Sequence, residues 1–363
     1  VRIAVCGVGL IGGSIGLAAK ARLGAEVVGY DAVPEAVERA IKAGALDAGS
    51  ASVKDAAAGS DIVFCAAPVA RLPELVCGAL EATGKETVVT DVGSTKRGLV
   101  AHVAQHPGAR RFVGGHPIAG AETAGVENAR EELFEGARWY LTPDERSGGL
   151  HYDRLQRAIT GIGARPQAID ADVHDRLMAT VSHLPHVIAN VLVAQAETAL
   201  SDDAERLPEV GRSFRDTTRV AGANPAIWAD IFAANADAVA DEIDAVVERL
   251  RDAASVIRAA DTSAIDDWHR AARASRRRLI ETGAGELDLR ELRVGVDNRP
   301  GVVAEIALAL GREGVNIEDM ALSPAADMRT GAISLWIAGN DVERASALVR
   351  ELGHTVGLVG AGE

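Results

Sequence analysis

Aromatic residues are scarce in this chain. They make up 3% of 363 residues, while 48% of the chain is apolar. The apolar mass is therefore small and aliphatic, which suits Ala-rich helices packed on a sheet better than a β-sandwich. Cysteine is also sparse. Cys6, Cys65 and Cys77 form no CxxC pair and no even framework. A disulfide scaffold is excluded, and reduced thiols in a cytoplasm are expected. Positive charge is in deficit, with 38 Lys and Arg against 52 Asp and Glu for a net charge of -14. Such a chain repels phosphate backbones and anionic membranes, so neither nucleic acid nor membrane is an expected partner. An anionic substrate would need local cations. No uninterrupted apolar run reads as bilayer-spanning, and the N-terminus opens directly into a strand-like run, so no signal peptide is expected.

The length exceeds one ordinary domain. Val1–Cys6 reads as a strand ended by Gly7, and Leu10–Ala21 as a small-residue helix. Strands follow at Glu26–Tyr30, Asp61–Ala67, Thr87–Val92 and Arg111–Gly115, with a helix over Pro34–Ala43. This alternation means βαβ units and a parallel sheet, continuing to about Ile169. From Asp170 to about Thr282 strand-like runs all but vanish; Ala171–Leu200 reads as one long helix and Ile227–Ala259 as further helix. Ser275–Glu286 looks like a linker. From Leu292 the alternation returns, with strands at Leu292–Asp297, Val315–Leu322 and Ala332–Ala338 and helices at Val302–Glu313 and Val342–Leu352. We therefore expect an α/β dinucleotide-binding domain over 1–168, an all-helical domain over 169–288 and a small α+β unit over 289–363.

Gly7-Val8-Gly9-Leu10-Ile11-Gly12 is GxGxxG between a strand and a helix. Gly7 makes the tight turn, Gly9 lets backbone approach a pyrophosphate, and Gly12 lets the helix pack on the strand. The helix N-terminus offers free N–H groups to the phosphates. Asp31 ends the second strand, where an acid accepts hydrogen bonds from both ribose hydroxyls of NAD and repels the 2′-phosphate of NADP. Asp31 can also be read as a plain strand-end cap. NAD is the expected cofactor.

Hydride transfer from an alcohol carbon needs a base for the hydroxyl proton. Asp91–Lys96 (DVGSTK) and Gly114–Gly120 (GGHPIAG) both follow strands at the sheet edge where such folds bind ligands. His116, flanked by small residues, is the candidate base. Ser94 reads equally as a helix N-cap or an active-site hydroxyl. Lys96 reads as solvated or phosphate-facing. In the long helix, Ser182-His183-Leu184-Pro185-His186 carries a mid-helix proline, a strain more tolerable at a functional site. Ser182 and His186, four apart, share a face. His183 and His186 are spaced HxxH, but with no third ligand nearby no metal is expected. Arg215 and Arg219 are also four apart, and one of them can clamp a carboxylate.

GVGLIGGSIG, DVGSTK, GGHPIAGAE, SHLPH and FRDTTR, in this order over roughly residues 1–285, resemble the prephenate/arogenate dehydrogenase family. The resemblance implies a Rossmann domain followed by a helical dimerisation domain, a homodimer, and oxidative decarboxylation of prephenate or arogenate in tyrosine biosynthesis. It implies that His116 is the catalytic histidine and that Ser94 orients the substrate hydroxyl. It further implies that Ser182 and His186 line the substrate and that Arg219 binds its carboxylate. HPI stands here where the family has HPM. Asp297-Asn298-Arg299-Pro300-Gly301-Val302 and Gly314-Val315-Asn316-Ile317 resemble the ACT domain, a ligand-binding regulatory module with a ferredoxin-like fold. By that resemblance Asp297, Asn298, Pro300, Gly301, Asn316 and Ile317 would meet a regulatory amino acid, with tyrosine the natural ligand; a purely assembling role stays open.

Two rivals remain at this point. A β-hydroxy acid dehydrogenase would use a lysine of the helical domain as its acid/base, and the long helix offers none. A non-catalytic sensor of NAD and amino acids would bind the nucleotide without turning it over. Prephenate and arogenate are not separated by these residues.

Overall fold

The structure, a computed structural model, describes residues 1–120, 123–200, 210–283, 289–297, 299, 301–317, 319–324 and 330–359. Its contacts divide into two compact units, Val1–Leu250 and Arg251–Glu363.

The first unit opens with β1 (Arg2–Cys6), α1 (Leu10–Leu23), β2 (Glu26–Tyr30), α2 (Pro34–Lys42), β3 (Ala48–Gly49) and α3 (Val53–Ala57). It continues through β4 (Ile62–Cys65), α4 (Leu72–Ala82), β5 (Val88–Asp91), α5 (Arg97–Val103), β6 (Phe112–Pro117), β7 (Arg138–Thr142), α6 (Gly149–Gly161) and β8 (Arg165–Ala168). The strands form one sheet in the order β3-β2-β1-β4-β5-β6-β7-β8. Side chains alternate across it. Ile3 and Val5 of β1 join Ile15, Leu46, Phe64 and Trp139 on one face. Ala4 and Cys6 join Val63, Val76 and Leu80 on the other. Both faces are covered, which is why these strands read as continuous apolar runs. The order reverses between β1 and β4, and ligands of such Rossmann sheets bind beyond the carboxyl ends of the strands at that point.

Two expectations change here. The sheet is not all parallel: β7 pairs antiparallel with β6. A parallel return needs a crossover, usually a helix, whereas among the described residues between these strands the elements are the short 3₁₀ turns Val126–Asn128 and Glu131–Phe134. Pairing with Tyr140 and Trp139 also carries β6 through His116 and Pro117, so the histidine sits on the strand and not in the loop after it.

The helical part of this unit holds α7 (Ala171–Met178), α8 (Leu184–Leu200), α9 (Arg212–Thr218), α10 (Pro225–Ala234) and the start of α11 (Ala236–Ala259). The expected single helix over Ala171–Leu200 is broken by a π turn at Ala179–His183. Pro185 lacks an N–H and its ring crowds the carbonyl of Val181; a widened turn just before it relieves both. Ala179, Ala238 and Val239 form the small core here, with Val187, Phe232 and Ile243 against it. By length and composition alone the stretch Ala171–Ala199 would suffice to cross a membrane, which the apolar-run reading did not detect. His174, Asp175 and His183 on it are buried within the folded unit.

The second unit contains α12 (Thr262–Gly283), β9 (Leu289–Asp297), α13 (Val302–Arg312), β10 (Asp319–Pro324), β11 (Thr330–Ala338), α14 (Val342–Glu351) and β12 (Thr355–Val359). Its sheet is antiparallel in the order β10-β11-β9-β12. Leu292, Val294 and Val296 point inward against Ile306 and Leu310 of α13 and Val349 of α14. This is the βαββαβ ferredoxin-like unit expected. Ser275–Gly283, expected as part of a linker, continues α12; such charge-rich sequence forms solvated helix, supported earlier by an i,i+4 pair between Asp266 and Arg270. The strand expected from Val315 starts at Asp319, and Val315 is a buried core residue instead.

Trp139 is fully buried on β7 and packs against Phe134 and Phe64, with ring centroids 5.1 and 6.2 Å away. Trp139→Ala empties that space and lowers stability by about 3–5 kcal/mol. Denaturant unfolding followed by circular dichroism reads the loss; a change within experimental error means the sheet repacks without this ring.

Candidate active site

The glycine loop leaves β1 at Gly7, whose φ of +101° and 2.2 Å spacing from an added Cβ to the Ala66 carbonyl oxygen admit no side chain. A Cβ on Gly12 would lie 2.0 Å from the Gly7 oxygen, so α1 packs directly on the turn. Gly9 differs: nothing lies within 4 Å of its Cβ position, which leaves open space at the N-terminus of α1. That is the cradle a pyrophosphate needs. The side chains of Val8 and Leu10 are buried and that of Ile11 half-buried. What Leu10 and Ile11 can offer a nucleotide is backbone N–H, since the Val8 N–H is taken by Asp31. Asp31 accepts hydrogen bonds from Val8 N (2.7 Å) and Val33 N (2.9 Å). It therefore does cap the strand end, and it also holds the glycine loop. Each carboxylate oxygen keeps a lone pair for a further donor.

The turn after β5 is built on a buried ion pair. The Lys96 ammonium donates to Asp91 and to the Gly115 carbonyl (2.8 Å), and neither charged side chain is exposed. Asp91 also accepts from Gly93 N (2.8 Å) and Gly115 N (3.0 Å). Lys96 is thus a structural tie between β5 and β6, not the solvated side chain expected. Burial pulls its pKa down, and Asp91 works against that pull.

Ser94 is half-buried two residues before the Lys96 N-cap of α5 and does not cap that helix. The cap comes from α7: Asp175 accepts from Lys96 N (2.7 Å) and Arg97 N (2.9 Å). The same carboxylate holds His174 Nδ1 at 2.8 Å, and His174 Nε2 lies 2.9 Å from His116 Nδ1. Among the described residues His116 Nε2 has no hydrogen-bond partner. Burial, reinforced by His174, Lys96 and His183, holds the pKa of His116 well below the ordinary histidine value.

The π turn brings His183 inward, where it is 1% exposed. Asn235, at the end of α10, spans two groups, with Nδ2 2.8 Å from the Asp175 carbonyl oxygen and 3.2 Å from His183 Nδ1. Burial, above all, pulls His183 down to a pKa of about 4, so it is neutral near pH 7. Trp228 of α10 stacks on His186 with ring centroids 3.4 Å apart and meets His183 edge-on at 5.9 Å. His186 is lowered too, first by burial and then by the charge of Arg219, which is exposed in the turn after α9. Ser182 is half-buried in the π turn; among the described residues no hydrogen bond ties it or Ser94 to the His116 ring.

Three family models match in sequence order. They are "Prephenate dehydrogenase, nucleotide-binding domain" over residues 15–167, "Prephenate dehydrogenase, dimerization domain" over 170–271 and "ACT domain" over 290–353. Prephenate dehydrogenase of Bacillus subtilis (strain 168) is 31% identical over 348 residues, covering 93% of this chain and 92% of that protein. The chain belongs to the prephenate dehydrogenase family. Cyclohexadienyl dehydrogenase of Zymomonas mobilis is 30% identical over 263 residues, 71% of this chain and 89% of that one. Prephenate dehydrogenase from Aquifex aeolicus, solved with hydroxyphenyl propionate and NAD+, superposes with a TM-score of 0.69 at 30% identity, over 77% of this chain and 98% of that one.

Sequence reasoning missed His174, Asp175, Trp228 and Asn235, and weighed His183 only as half of an HxxH pair. The adjacent His174-Asp175 pair in the first turns of a helix was the one visible signal. The family's ACT part is less complete in view. Asp297 is exposed at the end of β9, and Gly301, with φ +88°, starts α13. Asn316 is exposed and Ile317 half-buried ahead of β10. Asn298 and Pro300 lie outside the described residues.

Lys96→Met leaves the Asp91 charge buried without its partner and costs about 3–5 kcal/mol. Adding Asp91→Asn returns part of that loss because the two sites are coupled. Unfolding curves of the two variants measure this; losses that simply add would mean the pair is not an interacting unit.

Proposed function

We propose that this chain oxidatively decarboxylates prephenate to 4-hydroxyphenylpyruvate with reduction of NAD, in tyrosine biosynthesis, and acts as a homodimer. The observation that carries the reading is the placement of His116. It stands on β6 at the same sheet edge as the open Gly9 cradle, one ring nitrogen engaged and the other without a hydrogen-bond partner among the described residues. The Aquifex aeolicus relative, solved with a hydroxyphenyl compound and NAD+, supports it. When bound, NAD accepts a hydride from the ring carbon bearing the hydroxyl. Gly7, Gly9 and Gly12 with the N–H groups of Leu10 and Ile11 would hold the pyrophosphate, and Asp31, which already ties down the Val8 N–H, the ribose.

His116 Nε2 takes the hydroxyl proton as that carbon is oxidised. The ring carboxylate leaves as CO2, its bonding electrons complete the aromatic ring, and the proton returns to the ring oxygen. Arg219 binds a substrate carboxylate, a local cation in an otherwise acidic chain. His186, held by Trp228, and Ser182 line the substrate side, and Ser94 orients the hydroxyl. Arogenate is the second substrate reading, supported by the cyclohexadienyl dehydrogenase among the relatives. A lysine-dependent β-hydroxy acid dehydrogenase is disfavoured, because Lys96, the lysine beside His116, is consumed by Asp91. For the dimer, α8 exposes Val191 and Val193, and the matching family model is a dimerization domain. We retain 1–168, 169–288 and 289–363 as the three functional parts, with tyrosine at the ACT part as the regulatory ligand.

NADH formation with prephenate and with arogenate, each with NAD and with NADP, tests the reading; no turnover by folded protein that binds NAD overturns it. Two outcomes follow from the site. His116→Asn lowers kcat by about 10²–10⁴-fold with NAD binding intact. Because the base must be neutral and its pKa is depressed, the wild-type rate stays level as pH falls through 6.5 and declines only well below it; a decline centred near 6.5 contradicts this environment for His116. Separately, Asp31→Ser raises the preference for NADP over NAD by at least about ten-fold, about 1.4 kcal/mol. An unchanged ratio removes Asp31 from cofactor selection.

A further inference from the structure

Asp175, His174 and His116 form a chain whose polarity is set at one end. The Asp175 carboxylate receives Lys96 N at 2.7 Å and Arg97 N at 2.9 Å, both backbone donors of fixed sense. Its hydrogen bonds hold it ionised against the cost of burial. An ionised carboxylate only accepts. His174 Nδ1, 2.8 Å from Asp175 Oδ1, must therefore carry a proton. Neutral His174 then has its lone pair on Nε2, and the 2.9 Å contact to His116 Nδ1 is made by a proton on His116. The lone pair of neutral His116 falls on Nε2, the nitrogen without a hydrogen-bond partner among the described residues. The His174 ring has little freedom to break this order. It is fully buried, with Tyr140 edge-on at 5.6 Å and His116 edge-on at 5.1 Å. Asn235 donates to the Asp175 backbone carbonyl at 2.8 Å and steadies the turn that carries both residues.

We propose that His174, anchored by Asp175, is a positioning residue that locks His116 in the Nδ1–H tautomer and so presents an Nε2 lone pair to the substrate hydroxyl. Free histidine favours the opposite tautomer, with the proton on Nε2, in which that nitrogen is no base. The lock therefore creates the reactive form before substrate arrives. It also supports the form that follows: when His116 Nε2 takes the proton, the Nδ1–H···Nε2 bond to His174 becomes charge-assisted, with the Asp175 carboxylate behind it. This inference deepens the proposed reaction and rests on His116 being its base.

Two measurements test it, and one does not depend on turnover. In holoprotein with NAD and 15N-labelled histidine, neutral His116 should show a protonated Nδ1 and an unprotonated Nε2; the His116→Asn spectrum assigns the signals. A protonated Nε2 on neutral His116 overturns the lock. The second measurement compares His174→Phe with His174→Gln under prephenate turnover. Phe fills the space but offers no acceptor, and kcat should fall about 10²-fold or more, with KM for prephenate and NAD changed by no more than about three-fold. Gln offers an amide oxygen to His116 Nδ1–H, and should keep a kcat at least about ten-fold above Phe. If Phe matches or exceeds Gln, His174 only fills space and the proposal falls. The expected tautomer without any prephenate turnover would instead sink the proposed reaction and leave the lock standing.

Discussion

The carboxylate of Asp175 is the interaction on which the site depends. It belongs to the first helix after the Rossmann sheet, yet it caps a helix of that sheet through Lys96 N and Arg97 N. One short side chain thereby fixes where the helical segment sits over the β5 and β6 edge. Everything the segment contributes, from His174 to the π turn and His183, is registered against the sheet through this contact. A carboxylate suits the task because it accepts several donors at once and never donates. It fixes position and hydrogen-bond direction together.

Beneath it lies a second buried charge arrangement. Lys96 and Asp91 are fully buried, and isolated charges at that depth would be prohibitively costly. They are tolerated because Lys96 also meets the Gly115 carbonyl and Asp91 also meets two backbone N–H groups. The pair joins the turn after β5 to the strand that carries His116. The site is thus stiff where the base is held. It is more open toward Arg219, which is exposed. This division suits a reaction that needs one proton acceptor in a fixed place and a dianionic substrate drawn in from water.

Parts of this were legible in the residues because their chemistry is local. A strand followed by GxGxxG and a helix has one common geometry, and Gly7, Gly9 and Gly12 each occupy the position their spacing implied. His116 among small residues after an apolar run was legible for the same reason. Other readings failed where a distant residue decides. Ser94 looked like a helix cap, but Asp175, 81 positions further on, supplies the cap. Lys96 looked solvated because nothing in DVGSTK says that β6 will bury it with Asp91 against the Gly115 carbonyl. The antiparallel turn of β7 depended on a missing crossover helix. Pro185 announced a disturbance in the long helix, but not that a π turn would swing His183 inward beside Asn235.

The sequence by itself determined the local machinery: the nucleotide loop, the order of the α/β, helical and ACT parts, and the family, and it singled out His116 as the candidate base. Each rests on residues close together in the chain, where backbone geometry and short-range sterics leave few alternatives. Tertiary structure alone decided which side chains stand behind that base. The His116–His174–Asp175 chain joins segments that meet only once the sheet edge and the helical segment are packed, and the Lys96–Asp91 pair is buried only once the turn after β5 packs on β6. Hydrogen bonds of that kind carry no periodicity or spacing in the sequence. They become readable only when burial forces each donor to find its acceptor.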